Sequence, residues 1–255
     1  LKISLVNLLE QRDRETYKNY LSDFFSSWVS DFLIFMPSTP ALRGYTSESD
    51  ITPLGIYGEG LDILLSQCSK EELEEISSYN YLIDWLENFD IDKNNKLEEQ
   101  ALKMNRSTSQ LYFTDKYMKK SNNIFSSENA NEGVLHLLFY LALFISKETP
   151  KFFAIDNIET NLNPHLCRFL MKEVCVLAKK HDKQVIITTH NPAILDGLNL
   201  NDEEVKLFEV KRTREGATCT NQIKFKPKDE NGQVLKYKLS ELWTKGLLGA
   251  IPKNF

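Results

Sequence analysis

Apolar residues recur at helical spacing near the start of the chain: Leu5, Leu8, Leu9, Tyr17, Leu21, Phe24, Phe25, Trp28 and Phe32. That period predicts a helix over residues 3–35, broken by Pro37 and Pro40. Gly44, Gly55, Gly58 and Gly60 then predict a loop over 44–60. Helices are expected over 61–67 and 70–88, the second starting near Ser69 with Glu71 and Glu72 in its first turn. "NNKLEEQALKMN" (94–105) and "SQLYFTDKYM" (109–118) read as strands of a hairpin or meander. "SSENANEG" (126–133) is a polar loop leading into a helix over 134–147.

The clearest alternation follows. "KFFAID" (151–156) predicts a short buried strand, 163–181 a helix, "QVIITTH" (184–190) a second buried strand, and 191–198 a short helix. Strand, crossover helix and strand make a βαβ unit, hence parallel strands and an α/β sheet. Residues 205–212 and 219–226 predict an antiparallel edge hairpin around Arg214–Glu215–Gly216, and the tail from Lys238 a short amphipathic helix. The expected organisation is a helical and strand-containing lobe or insertion over 1–125 and an α/β core over 126–255.

Composition narrows this picture only modestly. The chain has 255 residues, 42% of them hydrophobic, which suits one large α/β domain or a core with an inserted subdomain. A net charge of −5 gives no sign of a globally basic nucleic-acid binder. Cys68, Cys167, Cys175 and Cys219 form no CxxC pair, so reduced thiols and a cytoplasmic setting are expected. The longest apolar run, 134–145, is twelve residues and contains His136. That suits a buried helix rather than a membrane span. The chain begins at Leu1 inside a helical pattern, which suggests part of a longer polypeptide.

The chemistry gathers at strand ends, where parallel α/β sheets bind their ligands. Asp156 ends one strand and His190 the next. A carboxylate there can hold Mg²⁺, and a histidine can contact a γ-phosphate or orient water. The helix start at 129–134 offers backbone N–H groups to an anion. Taken singly, Asp156 and His190 read as turn residues, Asn131 as a helix cap, and His136 as core or interface.

Their order is more specific than any one of them. Polar loop and helix, strand-Asp, helix-Pro and strand-His together resemble the C-terminal half of an ABC-type P-loop ATPase of the RecF/SMC/OLD-like branch. The resemblance is strong over 126–198 and extends in part over 33–66 and 239–255. It implies an α/β ATPase head with parallel core strands, an inserted helical region and an antiparallel edge hairpin. Asn131, Glu132 and Gly133 resemble the signature preceding an apolar helix. "FFAIDNIE" resembles Walker B, with Asp156 on the magnesium side. "TNLNP", which includes Asn161, resembles the D-loop, and "ITTHNPAILDGL" the H-loop with His190. ATP and Mg²⁺ are the implied cofactors. The implied partners are a second head, in a head-head dimer or higher oligomer, and an effector such as a nuclease, as in bacterial anti-phage defence. No membrane is implied.

Two departures stand out. No G-x-x-x-x-G-K-[ST] occurs; Gly55 to Gly60 has the glycine spacing, but Leu61 and Asp62 follow. The phosphate cradle is therefore expected upstream or on a separate chain. Asn157 stands where the family usually has a glutamate. An amide can orient water but cannot take its proton. Glu159 is a substitute, facing the same way as Asn157 if extended geometry persists, about 6–7 Å farther on. Three readings follow: a slow ATPase with Asn157, Glu159 and His190 as catalytic candidates, a hydrolysis-deficient ATP-binding scaffold or sensor, and a DNA-repair ATPase with a DNA-facing surface. Lys116, Lys119, Lys120, Lys179 and Lys180 are read mainly as solvated faces.

Overall fold

The structure, a computed structural model, describes residues 32–45, 53–93, 97, 108–213, 215–223 and 237–248. In chain order the elements are β1 (Leu33–Phe35), α1 (Thr39–Leu42), α2 (Leu61–Gln67), α3 (Lys70–Ser77), a 3-10 turn (Asn80–Leu82), β2 (Leu86–Ile91), β3 (Leu111–Asp115) and β4 (Ile124–Ser126). Then come α4 (Glu132–Ile145), β5 (Phe152–Ile155), α5 (Pro164–Lys180), β6 (Gln184–Ile187), α6 (Pro192–Leu195), β7 (Leu207–Arg212), β8 (Thr218–Ile223) and α7 (Leu239–Thr244). The class is mixed α/β, as expected.

The parallel sheet has the order β1-β5-β6, with Phe35, Ile155 and Ile187 in register across it. The crossover helix α5 turns one stripe inward, burying Leu166, Cys167, Leu170, Met171, Val174 and Leu177. Its charged last turn is held down outside: Lys180 meets Glu75 at 2.8 Å, and Lys179 meets Glu204 at 2.9 Å and also Asp202. Those two lysines lie on a solvated face, as read, and form ion pairs there.

α4 has no polar face after its first turn; every residue from Val134 to Ile145 is buried. A helix apolar all round must be wrapped all round. Phe35, Phe144 and Phe153 meet edge-on between α4 and the parallel sheet, with Phe35–Phe153 at 5.8 Å and Phe144–Phe153 at 5.3 Å. Elsewhere α4 packs against α1, α2, α3 and α5. Leu86, Phe89 and Phe113 of the antiparallel sheet β2-β3-β4 border the same narrow gap as Val134, Leu137, Leu138 and Leu141. One core cluster thus joins elements from both parts of the chain.

Several boundaries differ from expectation. Residues 33–35, read as the end of a helix, are strand β1; residues 1–31 lie outside the described residues. The helix expected over 70–88 stops at Ser77, and β2 begins at Leu86. β3 falls within 109–118, but its partners are β2 and β4. Apart from Leu97, the strand expected over 94–105 lies outside the described residues. Helix α4 starts two residues early because Asn131 caps it; its Oδ1 accepts Val134 N–H at 2.9 Å. The parallel strands end at Ile155 and Ile187, short of Asp156 and His190. Among the described residues, the β7–β8 hairpin forms a sheet of its own, with no ladder to the parallel strands. Residues 224–236 and 249–255 lie outside the described residues.

Candidate functional site

Asp156 follows the middle strand of the parallel sheet. Its N–H donates to Phe35 O at 2.9 Å, and Thr188 N–H donates to Ile155 O at 3.0 Å. These bonds carry the ladder one step past β5 and β6 and fix the half-exposed Asp156 at the carboxyl edge. The Thr188 hydroxyl donates to Asp156 Oδ1 and accepts Asn157 N–H at 2.9 Å. Asn157 Nδ2 reaches Asp156 Oδ2 at 3.4 Å. Asn157 Oδ1 is buried and has no hydrogen-bond partner.

The chain leaves extended geometry here. Asn157 has φ 51° and Asn161 φ 60°, both left-handed, a region asparagine enters more easily than most residues. Thr160 N–H and hydroxyl both donate to Asn157 O, at 3.0 and 2.7 Å. Strand alternation therefore does not carry through to Glu159. Glu159 Oε1 instead accepts His190 N–H at 2.8 Å, and its Oε2 is buried without a partner. Asp156 follows its strand directly, His190 lies beyond the end of the neighbouring strand rather than on it, and Glu159 ties the two strand exits together. His190 itself is exposed, and Asn191 caps α6 by accepting Ala193 N–H at 2.9 Å.

A second group lies at the starts of α4 and α5. Asn163 caps α5, accepting Leu166 N–H at 2.9 Å, and Pro164 occupies the first turn, where it needs no partner for a missing N–H. Asn161 Nδ2 approaches Thr39 Oγ1 at 3.1 Å and His136 Nε2 at 3.4 Å. His136 Nδ1 lies 2.9 Å from Glu132 O, so that nitrogen carries the proton and Nε2 accepts. Burial pushes the His136 pKa below its usual value, outweighing the Glu132 and Pro37 carbonyls and the Glu132 charge. Asn131, Gly133, Asn161 and Asn163 border a cleft of about 570 Å³, whose far wall includes Tyr81, Trp85 and Phe169. A Cβ at Gly133 would meet only Asn131 Oδ1 at 3.6 Å and the Asn161 carbonyl at 3.7 Å. Internal packing does not require glycine there.

The glycine-spaced loop behaves differently. Gly58 has φ 96°, and a Cβ on it would lie 2.5 Å from Leu42 Cδ2. Gly55 N–H donates to Glu59 O, and Gly60 caps α2 in the left-handed region. These glycines serve a tight turn closed on itself.

The residues fit a magnesium-nucleotide on one side. Among the described residues, no cluster of three or more His, Cys, Asp or Glu is placed to hold a metal by itself. Mg²⁺ commonly takes one or two carboxylates and completes its shell with phosphate oxygens and water. Asp156 and the orphaned Asn157 Oδ1 suit that arrangement. Sequence reasoning missed Thr188; its hydroxyl matters only because β6 ends level with β5, which no local signal reveals.

An aspartate and a histidine thus follow adjacent parallel strands, beside a capped apolar helix and an Asn-Pro turn. The chain belongs to the family described as "AAA domain, putative AbiEii toxin, Type IV TA system", whose profile matches residues 8–196. A solved structure from work on "ATP-driven dimerization and DNA stimulated activation of SMC ATPases" is similar at 15% identity. The alignment covers 60% of this chain and 86% of that one, with a TM-score of 0.38. No curated protein matches the chain. Among the described residues, no helix is long and apolar enough to cross a membrane.

Proposed function

We propose that this ATPase domain binds ATP between two heads and that closure on ATP gates an effector in bacterial defence. Asp156 holds Mg²⁺, which when bound neutralises charge on the phosphates. Asn157 orients the attacking water, and His190 faces the terminal phosphate. Asn131, Glu132, Gly133 and Asn161 meet nucleotide carried by the opposite head, where the helix start supplies N–H groups. The phosphate cradle comes from sequence other than these 255 residues, which contain no G-x-x-x-x-G-K-[ST]. Glu159 braces the H-loop through His190 N–H rather than taking a proton.

The observation that carries this reading is Asn157 Oδ1, a buried acceptor without a partner, beside Asp156. Such an atom calls for a donor, and metal-bound or attacking water is one. Phosphate release by the full-length protein tests the proposal. Asp156→Ala and His190→Ala are expected to abolish turnover, and Asn157→Glu to raise it. Turnover indifferent to all three substitutions rules out the site.

The neutral side chain of Asn157 favours a second reading, a scaffold that holds ATP without turning it over. Tight ATP-dependent assembly with no phosphate release selects it.

A further inference from the structure

We propose that Thr188 is a positioning residue for the magnesium-side carboxylate: from the end of β6, its hydroxyl orients Asp156 and secures the Asn157 peptide. The inference rests on the proposed role of Asp156. A hydroxyl has one donor and two acceptor positions. Thr188 gives its proton to Asp156 Oδ1 and accepts Asn157 N–H at 2.9 Å. The backbone settles this geometry in advance, because Asp156 N–H is fixed on Phe35 O and Thr188 N–H on Ile155 O.

The other contact to the carboxylate, Asn157 Nδ2 to Asp156 Oδ2, is long at 3.4 Å. Thr188 is thus the stronger constraint on how Asp156 faces a cation. It also satisfies the N–H of a residue held at φ 51°. Groups that orient a ligating carboxylate tune metal affinity without touching the metal. Nothing in the strand pattern demands a hydroxyl here, since Thr188 is exposed and lies past the last paired residue of β6. Valine preserves the branch and removes the hydroxyl; serine preserves the hydroxyl.

The test is the half-saturating Mg²⁺ concentration for binding of a fluorescent ATP analogue to the full-length protein, with urea unfolding as the fold control. Thr188→Val is expected to raise that concentration about 10- to 100-fold, while Thr188→Ser stays within about threefold of wild type. Should Thr188→Val lose its fold, Thr188→Ala carries the same expectation. An unchanged Mg²⁺ requirement in a folded variant lacking the hydroxyl, with Asp156→Ala still impaired, overturns this assignment alone. Binding indifferent to both Mg²⁺ and Asp156→Ala overturns the reading of the site, and this assignment with it.

Discussion

At Asn157 the backbone and the chemistry make separate demands. Its φ of 51° disfavours a side chain with a Cβ, and asparagine tolerates it better than most residues. Asn157→Ala should therefore lose about 1 kcal/mol in urea unfolding, and Asn157→Gly should lose less. Equal losses would show that the left-handed conformation is not what the position requires. His136 makes a different demand. Burial holds its pKa below the usual 6.5, so the unfolded chain binds its proton first as pH falls. The stability associated with neutral His136 is present above about pH 6.5 and is lost as pH falls toward the lower folded value. His136→Gln should flatten the fall in urea midpoint below pH 6.5; an unchanged slope would assign the acid sensitivity to other groups. Asp156, His190 and Asn131 were singled out from the sequence by their order along the chain, and the structure places them at two strand exits and a helix cap. The facing of Glu159 depended on extended geometry persisting, and the chain leaves that geometry at Asn157.

Elements were readable where the apolar period ran long. α4 and α5 emerged nearly whole, since twelve consecutive buried residues, eleven of them apolar, or six buried ones along a stripe, leave little choice of partner. β1 was not readable. A three-residue apolar strand following a helical pattern has no period of its own, and only pairing with β5 defines it. β2 was hidden in the same way, because its partner lies some twenty residues on, across segment 94–107. Elements are also joined by contacts that no pattern announces. Lys183, just before β6, is buried with Nζ donating to Ser146 O and Thr149 O, each at 2.9 Å, and to Thr149 Oγ1 at 2.8 Å. It closes the turn between the end of α4 and the start of β5. Lys183→Met keeps the stem and removes the ammonium from these buried acceptors, leaving Ser146 O only the Thr149 hydroxyl, which should cost about 2–4 kcal/mol in urea unfolding. A loss under about 0.5 kcal/mol, the range of ordinary surface substitutions, would mean that water replaces the ammonium freely.

For the whole molecule, the open question is what the cleft beside Gly133 faces. One core binds the parallel sheet, α4 and the antiparallel sheet together, so the N-termini of α4 and α5 are held on a common foundation. The proposed two-headed arrangement requires that this surface accept a partner's nucleotide closely, and Gly133 separates that requirement from folding. A Cβ there meets only ordinary contacts within the chain, 3.6 Å from Asn131 Oδ1 and 3.7 Å from the Asn161 carbonyl. In the first turn of a helix, leucine also carries a better helix propensity than glycine, by up to about 1 kcal/mol. Gly133→Leu should therefore fold at least as stably as wild type while filling the approach to the cleft. Light scattering of the full-length protein with ATP and Mg²⁺ is expected to show assembly in wild type and none in Gly133→Leu, with equal or higher urea midpoints for the variant. Assembly undiminished in Gly133→Leu would place the contact between heads elsewhere, and lost stability would return Gly133 to a packing role.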